Sequence, residues 1–123
     1  MTATIRSTAA RTVPATPLFL LSVDVIDGVV AIHGDFDREH VERFLQAVSL
    51  LSYSPSPCWS IDVSAVSFCD AGGLRGLFAA KRSAEQAHRT FRVTRAGPWM
   101  RSLLPAIGLT ASDASPRILR SIG

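Results

Sequence analysis

From Phe19 the chain alternates apolar and polar residues around Leu21, Val23 and Val25, turns at Asp27-Gly28, and alternates again around Val30, Ile32 and Gly34. Period-two runs on both sides of an Asp-Gly pair predict an antiparallel hairpin, with positive φ at both turn residues. The period then changes. Val41, Phe44, Leu45 and Val48 recur at i, i+3, i+4 and i+7, behind Asp37 as an N-cap and Glu39 in the first turn, which predicts an amphipathic helix. The run Ser52-Tyr53-Ser54-Pro55-Ser56-Pro57 ends it.

The segment Trp59 to Val63, with Trp59, Ile61 and Val63 apolar, predicts a buried central strand that ends at Asp62 to Ser64 and leads through a tight turn to a helix launched from Asp70. That second helix is expected to turn Leu74, Leu77, Phe78, Ala84 and Ala87 inward and Lys81, Arg82 and Glu85 outward, with His88 in its last turn. Thr90-Phe91-Arg92-Val93-Thr94 alternates as another strand. Gly97-Pro98 stops it and opens a third helix striped by Met100, Leu103, Leu104 and Ile107, with Gly108 as its stop. Pro105 lacks a backbone donor and crowds the preceding turn, so this helix should kink or end near Leu104.

A helix between two strands implies a right-handed crossover and parallel pairing. The expected fold is therefore an α/β single domain, a mixed four- to five-stranded sheet with helices packed mainly on one face. Residues 1–17 read as a disordered tail, 18–110 as the domain, and 111–123 as a short helix, a strand or a disordered tail, with Ile118, Leu119 and Ile122 its apolar residues.

Composition narrows the function classes. A chain of 123 residues fits one core. Arginine outnumbers lysine twelve to one, and the charge is uneven: residues 1–70 carry eight acids and four bases, residues 71–123 two acids and nine bases. Without interleaved aromatics or a reading motif, the basic half does not point to nucleic acid; it fits the solvated faces of a helix and a strand as well as it fits an acidic or anionic protein partner. Cys58 and Cys69 are separated by extended chain and lack Cys-x-x-Cys spacing, as expected of reduced thiols in a cytoplasm. No apolar run is longer than that from Leu18 to Leu21, which is far too short to enter a membrane as a span, and the N-terminal residues lack a cleavage pattern.

The strand-to-helix junction carries the most specific signal. Ile61-Asp62-Val63-Ser64, then Phe68-Cys69-Asp70, then Gly73-Leu74, together with Gly34-Asp35-Phe36-Asp37 after the second strand, resemble the STAS family, the sulfate transporter and anti-sigma factor antagonist domain. One position departs from the pattern. The serine that a partner kinase phosphorylates in regulated members of that family corresponds here to Ala71, followed by Gly72. Ser64 and Ser67 could serve as replacement phosphosites, but both precede the helix start, where the family's geometry offers no precedent.

The resemblance implies an anti-sigma factor antagonist-like bacterial regulator, cytoplasmic and not an enzyme, that binds an anti-sigma factor with a histidine-kinase-like ATPase fold and frees a sigma factor without phosphate at position 71. Its partner-binding residues would be Asp35, Asp37, Asp70, Ala71, Gly72, Gly73 and Arg75, with Leu74 assigned to packing. The rival implication is an accessory subunit docking on the ATPase of an ABC lipid-transport system, which needs no phosphosite. Neither fixes the oligomeric state.

Other constellations give no cofactor or metal. His33, Asp35, Asp37 and His40 could suggest ligands, but Asp37 is better used as a cap and Asp35 as a loop acid beside Asp70. There is no nucleophile elbow, and Gly72-Gly73-Leu74-Arg75-Gly76 lacks the Lys-Ser/Thr of a phosphate loop. Backbone N–H groups at the start of the second helix could receive an anion or a partner's acidic group.

Overall fold

The computed structural model describes residues 19–112. The tail reading of 1–17 and the apolar positions Ile118, Leu119 and Ile122 lie outside them. Five strands, β1 (Phe19–Asp24), β2 (Val29–Phe36), β3 (Cys58–Cys69), β4 (Thr90–Thr94) and β5 (Ala111–Ser112), form one sheet in the order β1-β2-β3-β4-β5. β1 and β2 pair antiparallel, and every later pairing is parallel. Three α-helices, α1 (Val41–Ser49), α2 (Ala71–Gln86) and α3 (Pro98–Leu103), connect the parallel strands. Ala111 and Ser112 thus join the sheet as its edge, one of the alternatives open for the C-terminal stretch.

The hairpin forms as its alternation requires, but its loop is longer than an Asp-Gly turn. Asp24 pairs with Val29 across a four-residue connection, the Asp24 carboxylate accepts from Asp27 N at 3.0 Å, and of the turn pair only Gly28 has positive φ, at 72°. A four-residue loop needs a single left-handed residue at its end, and glycine supplies it without steric cost.

The largest departure from the sequence reading is β3. It does not stop near Ser64 but runs to Cys69, with no tight turn before Asp70. Its pairing with β2 explains why the alternation fades. Ala31 and His33 face Asp62 and Ala65, and Gly34 and Asp35 face Val66 and Phe68, so β3 carries an extra residue at each of two bulges. Ser64, Ala65, Ser67 and Phe68 are exposed, and only the ladder with β2 keeps this stretch extended.

Val30, Ile32, Ile61, Val63 and Val93 form the sheet's contribution to the core, closed by Phe44, Ala47 and Val48 of α1, Leu77, Ala80 and Ala84 of α2, and Met100 and Leu104. Phe36 packs edge-on against Phe44, with ring centroids 4.9 Å apart. The strands from β2 to β5 are laid down in one direction, and crossovers of a single hand then put their helices on one face.

α2 ends two residues short of His88, the residue expected in its last turn. Gln86 is its last helical residue, and His88 lies beyond it at φ 59°, with His88 N donating to Glu85 O and Arg89 N to Ala84 O. This is a Schellman ending with histidine where glycine is usual. Phe78, expected inward, is 39% exposed, and Ala80 takes the buried place. The third helix breaks as Pro105 demands: α3 stops at Leu103, a 3-10 turn spans Leu104–Ile107, and Gly108 at φ 74° ends it.

Candidate functional site

The site grows from the ends of two parallel strands. Phe36 pairs with Cys69, so β2 and β3 finish level and the next residues, Asp37 and Asp70, emerge side by side. Both are N-caps. Asp37 Oδ1 accepts from Glu39 N at 3.1 Å and opens the 3-10 turn Arg38–His40 before α1; Asp70 Oδ1 accepts from Gly73 N at 2.8 Å and opens α2. An aspartate cap satisfies an otherwise unpaired helix donor and sits favourably at the positive end of the helix dipole.

Gly72 and Gly73 let the two openings touch. A Cβ on Gly73 would collide with the carbonyl oxygen of Phe36, and one on Gly72 would lie 2.7 Å from Arg38 Cβ and 2.9 Å from its Cα. Both glycines are buried. Around them Asp37, Arg38, Glu39, Asp70, Ala71, Gly72 and Arg75 line an open surface cleft of about 400 Å³. A second cleft of about 400 Å³ continues from it between α1 and α2, over Val41, Leu45, Gly76 and Ala79.

Of the seven residues expected to form the site, Asp37, Asp70, Ala71, Gly72 and Arg75 line this cleft together. Gly73 is buried beneath it as a packing residue. Asp35 is not a loop acid beside Asp70: it is a β2 residue facing Phe68, and its carbonyl oxygen lies 3.0 Å from His40 Nδ1. The same His40 nitrogen lies 2.9 Å from Asp37 Oδ1, and its ring stacks on Phe19 with centroids 4.1 Å apart. Arg38 and Glu39 join the site through the 3-10 turn, a segment in which the sequence pattern signals only the start of a helix.

The cleft suits a partner surface better than a free anion. Asp70 already takes the Gly73 N–H, and three carboxylates, Asp37, Glu39 and Asp70, surround the helix start with only Arg38 and Arg75 to offset them. Ala71 is exposed at the first position of α2 and offers only a methyl group. Cys69, just below, is not a reactive thiol: burial first, then the Asp70 charge, push it up to about 11, and its Sγ lies 3.6 Å from Asp70 O. Sheets wound in one direction also lack the reversal of strand order at which α/β proteins form deep ligand crevices.

The sequence profile of the family described as Mlab, STAS domain matches residues 20–120. The chain belongs to the STAS domain family. No curated protein sequence matches this STAS domain. Among solved structures it is similar to an anti-sigma factor antagonist from Mycobacterium paratuberculosis, with 24% identity over 89% of this chain and 96% of the other and a TM-score of 0.64. It is similar also to the anti-sigma factor antagonist SpoIIAA in its unphosphorylated form, with 21% identity over 86% and 99% of the two chains and a TM-score of 0.61. A third match is the Bacillus cell fate determinant SpoIIAA in the phosphorylated form, with 20% identity over 85% and 99% and a TM-score of 0.60. These likenesses establish the fold. Among the described residues no helix is long and apolar enough to cross a membrane.

Proposed function

We propose that this STAS domain is an anti-sigma factor antagonist-like regulator, a non-enzymatic docking protein that binds a kinase-like anti-sigma factor and frees a sigma factor with no phosphate at position 71. The observation that carries the reading is the cleft at the start of α2, where two aspartate caps, Arg38, Arg75 and the exposed Ala71 converge on an open surface. Asp37, Asp70, Ala71, Gly72 and Arg75 form the contact face, Gly73 holds it in shape, and Asp35 supports it through His40.

SpoIIAA exists in phosphorylated and unphosphorylated forms. A phosphate brings about −1.5 to −2 charges, which beside Asp37, Glu39 and Asp70 would reorganise such a face. Ala71 has no hydroxyl to accept one, so docking here is constitutive and set by the amounts of the two proteins. The same feature favours a second reading, an accessory subunit seated on the ATPase of an ABC lipid-transport system, which needs no phosphosite. The matching family is described by the name Mlab and not as an anti-sigma factor antagonist.

Affinity capture of the tagged chain from its own host, in parallel with Arg75→Glu, separates the readings. Recovery of a kinase-like anti-sigma factor by the native protein, lost in the variant, supports the first; recovery of an ABC ATPase instead overturns it and supports the second.

A further inference from the structure

Ala71, Arg75, Phe78 and Arg82 are all exposed and recur at i, i+4, i+7 and i+11, so they form one stripe along the solvent side of α2. It leads from the cleft down the helix. Phe78 is the large apolar residue of the stripe, and it is framed by cations: the Lys81 ammonium lies 6.0 Å and the Arg82 guanidinium 5.9 Å from its ring centroid. Lys81 is paired with Glu85 at 2.9 Å. Arg75 and Arg82 have no carboxylate partner among the described residues.

We infer that this stripe is the binding surface for an acidic helical segment of the partner, with two carboxylates about 10 Å apart for Arg75 and Arg82 and an apolar side chain between them on Phe78. Charge complementarity carries the choice of occupant. An exposed phenylalanine between two unpaired guanidinium groups leaves apolar area and two positive charges uncovered on one line. The acids at the helix start sit at one end of that line, Arg75 at the edge of their cleft and Arg82 beyond it, so an acidic segment is repelled from the tip and drawn along α2 from Arg75 toward Arg82, which fixes where it lies. The inference rests on the docking reading above and names the chemistry of the partner's contact.

The test titrates the isotope-labelled full chain with a synthetic helix-forming peptide carrying two glutamates seven positions apart and a leucine between, and with the same peptide carrying lysines in their place. Amide shifts are read by NMR. The glutamate peptide is expected to shift amides along α2 between Ala71 and Arg82, to weaken with added salt, and to lose about tenfold in affinity in Arg82→Glu and in Phe78→Ser, while the lysine peptide does nothing. Both side chains are exposed, so circular dichroism should show both variants folded.

Absence of shifts with the glutamate peptide, equal response to the two peptides, or unchanged binding by Arg82→Glu would each overturn the inference. So would sedimentation with phosphatidylglycerol vesicles that Arg82→Glu abolishes while the peptide stays inert, which would assign the stripe to a lipid surface. No anti-sigma factor enters this titration, so its failure and that of the proposed function are read separately.

Discussion

At the scale of single residues, Asp70 and Cys69 show how one strand end serves both folding and site. Asp70→Ala removes the bond to Gly73 N and should lower stability by about 1 kcal/mol, within the roughly 0.5–2 kcal/mol seen for lost caps, whereas Asp70→Asn should retain most of it; urea denaturation measures both. Cys69 is neutral to unusually high pH because its thiolate would be desolvated and would face Asp70. Its folded value, about 11, stands above the reference of 9.0, so the unfolded chain loses this proton first as pH rises. Its contribution is fully present below pH 9 and is lost as pH rises toward 11, and Cys69→Ala should flatten that decline. At mild alkaline pH an alkylating reagent should modify half-buried Cys58 well before Cys69. The capping role of Asp70 is legible from an aspartate before a glycine-leucine helix start. Burial of Cys69 is not, because it depends on where a bulged strand ends.

At the scale of elements, the register between β2 and β3 decides the geometry of the site. Two bulges let the ten β3 residues from Ser60 to Cys69 lie along the eight of β2 and end level with them, so that both caps emerge together. Gly73→Ala would push a methyl group into the Phe36 carbonyl and separate α2 from β2, with an expected loss of about 3 kcal/mol or more; Gly97→Ala, with nothing within 4 Å of its added Cβ, should be nearly neutral. Thermal unfolding of the two variants gives the comparison. Hairpin, helices and crossover order can be read from periodicity because each buries a continuous face. The exposed half of β3 cannot, since its residues are extended by pairing alone, and alternation reports burial. Phe78 escapes the pattern for a related reason. Its apolar character suggests the core, but Ala80 and Ala84 fill the tight contact and leave the larger ring outside among cations.

At the scale of the whole molecule, helices on one face and strands laid down in one direction leave the carboxyl ends of β2 and β3 as an open shoulder. Such a shoulder suits docking, and in this STAS domain it carries Ala71, which has no hydroxyl to modify. Position 71 separates folding from binding unusually well. A carboxylate at the first residue of α2 is favoured by the helix dipole, which offsets its repulsion from the three cleft acids, so Ala71→Glu should fold with near-native stability. The same charge, added to the three acids of the cleft, should repel any partner that accepts the present face. The decisive measurement for the proposed docking is therefore the calorimetric affinity of whichever partner protein the affinity capture recovers, for the native protein and for Ala71→Glu. Binding reduced at least about tenfold in a fully folded variant is the expected result; equal affinity would contradict docking at the start of α2.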